Sequence, residues 1–250
     1  MPRLITLLTD FGTADGYVGE MKGVLASLAP QSAVVDIAHD VAPQDVEGAR
    51  LALARYLRRF PEGTVHVVVI DPGVGSGRGA LAAASEGRFL VGPDNGVLSP
   101  ALLHADARCV SLSIPASAAP TFHGRDVFAP AAAQLALGAA LETLGVVTED
   151  PVIGRTPEAT RRTDGAVQGE VITVDRFGNA VTNLLAMRGG QVQVNGFSLV
   201  LRRTYADVAQ GEPLALVGSS GLVEIAVRDG SAAEQLGLRR GSGVALLPLR

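Results

Sequence analysis

The sequence is most distinctive for what it contains little of. Among 250 residues there is no tryptophan, one cysteine and one lysine. The single cysteine, Cys109, excludes an intramolecular disulfide and any metal site built from several cysteines. Aromatic residues make up only 4% of the chain, so the core must consist mostly of alanine, valine and leucine.

Long apolar runs and an excess of basic charge are also absent. No run approaches the ~20 apolar residues that a membrane-spanning helix needs, and the apolar run near the N-terminus is too short for a signal peptide. The formal net charge is −4, which provides no basic surface for nucleic acid. These absences predict a cytoplasmic protein without membrane or nucleic-acid partners.

The first half of the sequence alternates between strand-like and helix-like segments. Short apolar runs at 4–9, 33–37 and 65–70 predict buried strands, and residues between them show apolar side chains at helical spacing. An alanine-rich segment, 126–144, predicts a further helix that Gly145 ends. This alternation is typical of an α/β domain with a mainly parallel sheet and helices on both faces.

The pattern changes after residue 150. Residues 151–166 combine proline, glycine and arginine with little apolar periodicity, so they predict a linker. Beyond them, short strand-like runs are separated by glycine-rich turns at the spacing of a small β-barrel or sandwich. The sequence therefore predicts an α/β domain at 1–150, a linker at 151–166 and a smaller β domain at 167–250.

Two acids follow buried strands of the first domain. Asp10 comes directly after the strand 4–9, and Asp71 directly after the strand 65–70. In an open parallel sheet, ligands bind beyond the carboxyl ends of the strands. A single aspartate at such a place often only caps a turn. Two aspartates at equivalent strand ends, both close to glycines, favour a reactive site.

The glycine-rich stretch 71–79 is not predicted to bind phosphate. It lacks the third glycine of a dinucleotide-binding loop, because Arg78 stands there, and no Lys-Ser/Thr pair follows as in a P-loop. A tight turn that brings Arg78 back toward Asp71 explains the stretch better. A carboxylate–guanidinium pair of this kind favours the ionised acid.

Two histidines leave alternatives open. His39-Asp40 resembles the His-Asp pair of metal phosphohydrolases, but further ligands are not recognisable, so metal binding is the less favoured interpretation. His123 lies in the loop 120–126, where a glycine leaves space for a ligand. A structural loop histidine and a catalytic histidine fit His123 equally well.

The second half contains two polar turns beside strands. Asn179 ends the turn 175–179, and its amide has both a donor and an acceptor, as recognition of a purine edge requires. An Asx turn within a hairpin explains this segment nearly as well. The turn 218–221 is similarly ambiguous.

Six segments in sequence order carry a family resemblance. They are Thr9-Asp10-Phe11-Gly12 with Asp15-Gly16-Tyr17, Asp71-Pro72-Gly73-Val74-Gly75, Pro93-Asp94-Asn95-Gly96, Thr121-Phe122-His123-Gly124-Arg125-Asp126, Asp175-x-Phe177-Gly178-Asn179-x-x-Thr182-Asn183 and Gly221-Leu222-Val223-Glu224-Ile225-Ala226-Val227. Together they resemble the S-adenosylmethionine hydroxide adenosyltransferases, relatives of the enzymes that fluorinate or chlorinate the same substrate. The resemblance spans nearly the whole chain.

The resemblance implies a fold, an assembly and a set of roles. It implies an N-terminal α/β domain, a C-terminal β-barrel and a homotrimer with active sites between subunits. Asp71, Arg78 and His123 match a catalytic triad that positions and polarises the attacking water. The implied substrate-binding residues hold the ribose hydroxyls (Asp10), hold the methionine portion (Asp15, Asp175, Ser219), read adenine (Asn179 and the backbone around Val227) or lie close to the adenosine (Glu224).

The same resemblance favours hydrolysis over halogenation. Halogenating relatives have an aromatic residue in place of Asp71. The fluorinating ones also carry a long insertion after this region, whereas the corresponding segment of this chain, 80–92, is short. The predicted reaction is attack of water on the 5′ carbon of S-adenosylmethionine, which gives adenosine and methionine without a metal or cofactor. The segment 228–231 departs from the asparagine-rich turn expected there, so the adenine contacts at that position stay open.

Two other classes of protein remain as alternatives. One is a metal-dependent nucleotidase that uses Asp10, His39 and Asp40. The other is a regulator that binds adenosine or S-adenosylmethionine without reaction.

Overall fold

The computed structural model describes residues 3–185 and 189–248. The chain forms two compact units, residues 1–155 and 156–250, and each is described by itself. None of the helices in these described ranges has the length and apolar character needed to span a membrane.

The first unit is built on a sheet of seven strands within the described residues, with the order β2-β1-β3-β5-β4-β6-β7. β2, β1, β3 and β5 are parallel to one another, whereas β4, β6 and β7 are added antiparallel. The strands are β1 Ile5–Thr9, β2 Val34–Ala38, β3 Val65–Val69, β4 Ala80–Ser85, β5 Arg88–Pro93, β6 Arg108–Leu112 and β7 Gly145–Val147. The α/β class is confirmed, but the sheet is mixed rather than mainly parallel.

A two-residue turn accounts for the start of the antiparallel half. Glu86 and Gly87 connect β4 to β5, and both have positive φ, 50° and 70°. Two positive φ values in succession are typical of a type I′ hairpin turn. Because so short a connection joins only antiparallel strands, β4 cannot continue the parallel order.

Helices cover both faces of this sheet, as predicted. The helices α1 (Tyr17–Leu28) and α4 (Ala129–Ala136) pack with the odd-numbered residues of β1 and β3, such as Leu7. The helices α2 (Val46–Tyr56) and α3 (Ser99–Leu102) pack with even-numbered residues of the same strands, such as Leu8. Successive strand residues point to opposite faces, so the central strands need apolar side chains at nearly every position.

The alanine-rich segment forms less helix than predicted. A π-helical turn, Gly124–Phe128, leads into α4, which ends at Ala136, and Gly138 follows with a φ of 99°. Gly145 ends no helix; it begins β7, where a Cβ would collide with the carbonyl oxygen of Ser111. The predicted continuous helix is wrong because alanine favours a helix without setting its length, and Gly138 supplies the left-handed conformation that stops it.

The second unit is a mixed β-barrel, as the family resemblance implied. Seven strands close into the ring β9-β10-β14-β13-β12-β11-β15, and β8 adds to the outer side of β9. Only β12 and β13 pair in parallel among these described strands. The strands are β8 Thr160–Arg161, β9 Val167–Val174, β10 Ala180–Leu185, β11 Gln191–Val194, β12 Phe197–Arg202, β13 Pro213–Val217, β14 Leu222–Val227 and β15 Gly243–Leu247, and α5 is Ala232–Gln235. Valine, leucine and alanine fill the barrel core.

Candidate active site

Asp10 and Asp71 lie at the same edge of the first unit's sheet. β1 and β3 are adjacent and parallel, with Leu7 beside Val67 and Thr9 beside Val69. The two aspartates therefore follow strand ends at one edge, as the sequence predicted, and the structure adds that the two strands are neighbours. Their carboxylates are close enough for the charge of Asp10 to contribute to the pKa of Asp71.

Asp71 and Arg78 form the expected ion pair. Arg78 donates from Nε to Asp71 Oδ1 at 2.9 Å and from Nη2 to Asp71 Oδ2, so the contact is bidentate. Both side chains are almost fully enclosed, with 6% of Asp71 and 7% of Arg78 exposed. Arg78 also donates from Nη1 to the carbonyl oxygen of Gly79 at 2.8 Å. A planar guanidinium with three fixed acceptors has little freedom to rotate.

Burial controls the protonation of Asp71. Removal from water raises the pKa of the Asp71 carboxyl, the charge and hydrogen bond of Arg78 lower it, as does His123 when it is protonated, and Asp10 raises it again, with a net upward direction. The ion pair predicted to favour the ionised acid is thus present, but burial outweighs it. A buried carboxylate with a raised pKa is a better proton acceptor than an ordinary aspartate.

His123 completes a contiguous polar cluster with this pair. It directly precedes the π-helical turn, is 4% exposed, and its Nδ1 lies 3.1 Å from Arg78 Nη2. Arginine only donates hydrogen bonds, so Nδ1 must accept and the neutral ring carries its hydrogen on Nε2. Burial lowers the pKa of His123, and the Arg78 charge lowers it further while Asp71 and Asp126 oppose this. The neutral imidazole is therefore favoured.

The residues proposed for a metal site serve other contacts. His39 Nδ1 lies 2.9 Å from Thr9 Oγ1, and its Nε2 lies 3.1 Å from Asp36 Oδ1. Asp40 is exposed. Asp10 Oδ2 instead accepts from the backbone N–H of Gln44 at 2.8 Å. Within residues 3–185 and 189–248, no group of three His, Cys, Asp or Glu side chains is arranged to hold a metal ion.

An aromatic cluster joins the segments that carry Asp10 and His123. The rings of Phe11 and Phe122 meet edge to face with centroids 5.8 Å apart, and Tyr17 lies 5.3 Å from Phe122. Gly124 allows this packing, because a Cβ there would lie 3.3 Å from the Phe122 ring and 3.2 Å from the sulfur of Met21, both tighter than ordinary contact. Sequence reasoning noted these aromatics only as parts of motifs. Aromatic residues are scarce in this chain, with seven phenylalanines and three tyrosines. Three of them beside polar motifs could therefore have indicated an aromatic cluster at the site.

In the second unit, the turn 175–179 is organised by Asp175. Its Oδ1 accepts from the backbone N–H groups of Phe177 and Asn179, each at 2.9 Å, and its Oδ2 accepts from Asn179 Nδ2 at 3.0 Å. The Asx turn considered from the sequence is thus present, formed by the aspartate rather than by Asn179. Asn179 is 6% exposed, and the contact from its Nδ2 to Asp175 fixes the orientation of its amide.

The segment 228–231, which departs from the family pattern, packs against that turn. Gly178 has a φ of 83°, and a Cβ on it would collide with Ser231. Asp229 adopts a left-handed conformation with φ of 56°. Val227, just before this segment, is buried and forms a β-bridge with Gly230. Residues 228–231 thus form their turn without the asparagines expected from the family pattern.

The remaining predicted binding residues differ in exposure. Asp15, in the turn before α1, and Ser219, in the turn before β14, are exposed, and Glu224 is half-buried. Glu224 lies so close to Gly218 that a Cβ on the glycine would collide with its carboxylate. Tyr205 lies near two of the predicted binding residues, although the sequence did not single it out. Burial raises the pKa of its phenol, and the charges of Glu224 and Asp175 raise it further.

The fold and this cluster define a class of protein. An α/β unit carries a buried carboxylate, guanidinium and imidazole in contact at the carboxyl edge of its sheet, and a β-barrel unit follows. The model of the SAM hydroxide adenosyltransferase N-terminal domain matches residues 5–145, and the model of the C-terminal domain of the same family matches residues 169–245. The chain belongs to the SAM hydroxide adenosyltransferase family.

Individual relatives agree with this membership. A protein of Thermus thermophilus named (R)-S-adenosyl-L-methionine hydrolase is 47% identical, over 98% of this chain and 100% of its own. A fluorinase of Actinopolyspora mzabensis is 30% identical, over 96% of each chain. The crystal structure of an uncharacterized conserved protein from Thermotoga maritima matches with a TM-score of 0.90 and 32% identity, over 98% of this chain and 100% of the other.

Proposed function

We propose that this protein hydrolyses S-adenosylmethionine to adenosine and methionine by attack of water on the 5′ carbon. The observation that carries the proposal is the buried contact among Asp71, Arg78 and His123. Membership of the SAM hydroxide adenosyltransferase family supports the substrate. The identity of 47% to a protein named as a hydrolase supports water as the nucleophile.

The leaving group needs no general acid from the protein. The carbon–sulfur bond breaks and its electron pair returns to sulfur, so methionine leaves as a neutral thioether that needs no proton. The positive charge of the sulfonium disappears in this step. An enclosed site of low polarity therefore favours the transition state over the charged ground state.

Activation of the nucleophile is the difficult part of the reaction, because water is a weak nucleophile and must be aligned opposite the sulfur atom. Asp71 accepts a hydrogen bond from this water and, with its raised pKa, takes up the proton released as the carbon–oxygen bond forms. His123 carries its hydrogen on Nε2 and so donates to the water oxygen rather than removing a proton. Arg78 holds both groups in place.

The substrate-binding roles follow the family resemblance. Asp10 holds the ribose hydroxyls at the sheet edge beside the triad. Asn179 and the backbone around Val227 read adenine, and Glu224 lies close to the adenosine. Asp15, Asp175 and Ser219 hold the methionine portion. We further propose a homotrimer in which neighbouring subunits share each active site.

Product analysis by chromatography after incubation with S-adenosylmethionine tests this function. We expect adenosine and methionine in equal amounts from the wild-type protein. Asp71→Asn should lower turnover about 100-fold or more, because the proton acceptor is lost, and should still bind adenosine. Arg78→Lys should also lower turnover, since a lysine cannot reproduce the bidentate contact.

Arg108→Lys is the matched control. Arg108 forms an exposed ion pair with Glu142 at 2.8 Å, so the same substitution there should leave turnover unchanged. Adenosine release by Asp71→Asn at the wild-type rate would contradict the proposal. Recovery of intact S-adenosylmethionine from the wild type would favour a binding regulator. Inhibition by a chelator would favour a metal-dependent nucleotidase. Formation of chloroadenosine in the presence of chloride would favour a halogenase.

A further inference from the structure

The turn that follows β5 lies directly beneath the loop that carries Asp71 and Arg78. β5 sits between β3 and β4 in the sheet. Asp71 follows β3 and Arg78 precedes β4, so the connecting loop passes over the end of β5. The first residues beyond β5, Asp94 and Asn95, are therefore flanked on both sides by the ends of this loop.

Asn95 holds the Asp71 end of the loop. Its Nδ2 donates to the carbonyl oxygen of Ile70 at 2.9 Å, the peptide group immediately before Asp71. Its Oδ1 accepts from the backbone N–H of Val97 at 3.2 Å, which fixes the orientation of the amide. The side chain thus ties the backbone of Asp71 to the turn after β5.

The same turn holds the Arg78 end through its backbone. The N–H of Asp94 donates to the carbonyl oxygen of Gly79 at 2.8 Å, and this oxygen also accepts from Arg78 Nη1 at 2.8 Å. Gly79 lies tight against Asp94, because a Cβ there would come within 3.3 Å of the Asp94 Cβ. The dipeptide Asp94-Asn95 therefore contacts the backbone beside both members of the ion pair.

We propose that Asn95 is a positioning residue that acts through the Ile70 carbonyl to place Asp71 against Arg78 and the attacking water. The proposal rests on the proposed function for its kinetic consequence. Its structural consequence, the arrangement of Asp71, Arg78 and His123, does not depend on turnover. Side-chain geometry at a reacting centre is demanding, since a displacement of about 1 Å costs roughly 100-fold in rate.

Two substitutions isolate the donor of Asn95. Asn95→Asp keeps an oxygen that accepts from Val97 N–H and has no donor for Ile70. Asn95→Ser also keeps an acceptor, and its hydroxyl, although a donor, ends one bond short of the Nδ2 position that reaches Ile70. Asn95→Ser thus removes the bond to Ile70 without adding charge. We expect both to lower kcat roughly 10- to 100-fold, with the KM for S-adenosylmethionine changed less than about threefold, because Asp10 and the barrel residues stay in place.

Asn195 in the barrel offers a matched control. Its Nδ2 donates to the carbonyl oxygen of Leu236 at 2.9 Å, so Asn195→Asp and Asn195→Ser remove the same kind of bond elsewhere. Melting temperatures identify the temperature range in which all four variants are folded. A kcat within about twofold of wild type in both Asn95 variants would overturn the proposal, as would an equal loss in the Asn195 variants.

An NMR titration of the His123 ring, assigned by its loss in His123→Ala, gives a readout independent of turnover. A displaced ion pair should change the environment of His123, so its titration midpoint should move in the Asn95 variants and stay at the wild-type value in the Asn195 variants. An unmoved midpoint in the Asn95 variants would overturn the proposal. Absence of adenosine from the wild type overturns the proposed function instead, and the titration still decides the role of Asn95.

Discussion

At the scale of single residues, the two strand-ending aspartates differ through their partners. Asp10 accepts a backbone N–H from Gln44, whereas Asp71 is enclosed and paired with Arg78. Burial raises the pKa of Asp71 and lowers that of His123. Both shifts follow from the cost of placing a charge away from water. They give the cluster a carboxylate suited to accept a proton beside an imidazole that stays neutral.

These shifts predict the pH dependence of the reaction. As pH falls, Asp71 takes up a proton at a higher pH than an ordinary aspartate, because its pKa is raised, and the protonated acid no longer accepts from water. His123 takes up a proton at a lower pH than an ordinary histidine, because its pKa is lowered. We therefore expect kcat/KM for S-adenosylmethionine to fall on acidification at a pH above the usual aspartate value of about 3.9.

Initial rates of adenosine release across the pH range measure this fall in activity on acidification, the acid limb of the pH profile. The residual activity of Asp71→Asn should lack the acid limb, since the amide does not titrate. Activity that rises on acidification, or an acid limb that persists unchanged in Asp71→Asn, would contradict the assignment of Asp71 as the proton acceptor.

At the scale of elements, the turns and short strands at the sheet edge decide the site more than the long helices. The π-helical turn Gly124–Phe128 begins directly after His123, and such turns are frequent at functional sites. The turn after β5 supports the Asp71–Arg78 loop from below. β7 extends the sheet beyond β6, and Gly145 allows the close approach to Ser111 at this pairing.

The same substitution at two glycines should have opposite effects on stability. Gly145→Ala should lower the free energy of unfolding by about 1–3 kcal/mol, because the new Cβ collides with the Ser111 carbonyl. Gly23→Ala lies within α1, where a Cβ meets nothing within 4 Å. It should raise the free energy by roughly 0.5–1 kcal/mol. Urea unfolding measures both, and a stabilised Gly145→Ala would show that β7 does not require glycine.

At the scale of the whole molecule, the candidate chemistry is divided between two units. The first carries Asp71, Arg78 and His123, and the second carries the Asp175–Asn179 turn. The two family models match these parts of the chain separately. In the proposed function the first set handles water and the second reads adenine, so the proposed reaction requires both.

The proposed trimer with shared sites predicts complementation between inactive variants. Asp71→Asn disables the first unit, and Asn179→Ala the second. If each site takes one unit from each of two neighbouring subunits, random mixed trimers should regain about a quarter of the wild-type sites. Co-expression followed by adenosine assays measures this recovery, and light scattering measures the subunit number. No recovery in confirmed mixed trimers would show that each subunit completes its own site.

The sequence by itself determined the features that depend on local pattern. The alternation of apolar runs gave the α/β class, the change after residue 150 separated the β-rich half, and the acids after β1 and β3 marked one edge of a sheet. Spacing within one loop was enough to predict the Arg78–Asp71 pair. The resemblance in six motifs supplied the family and the expected roles, which residue patterns alone left open between enzyme, metal site and binding protein.

Only the tertiary structure decided the features that depend on distant contacts. Strand order placed β5 between β3 and β4, and so put Asn95 beneath Asp71 although 24 positions separate them in the sequence. Enclosure by distant segments raised the pKa of Asp71 against the effect of its ion pair. Periodicity records which side of an element is buried, whereas strand order and the depth of burial arise from contacts between elements, which no local pattern records.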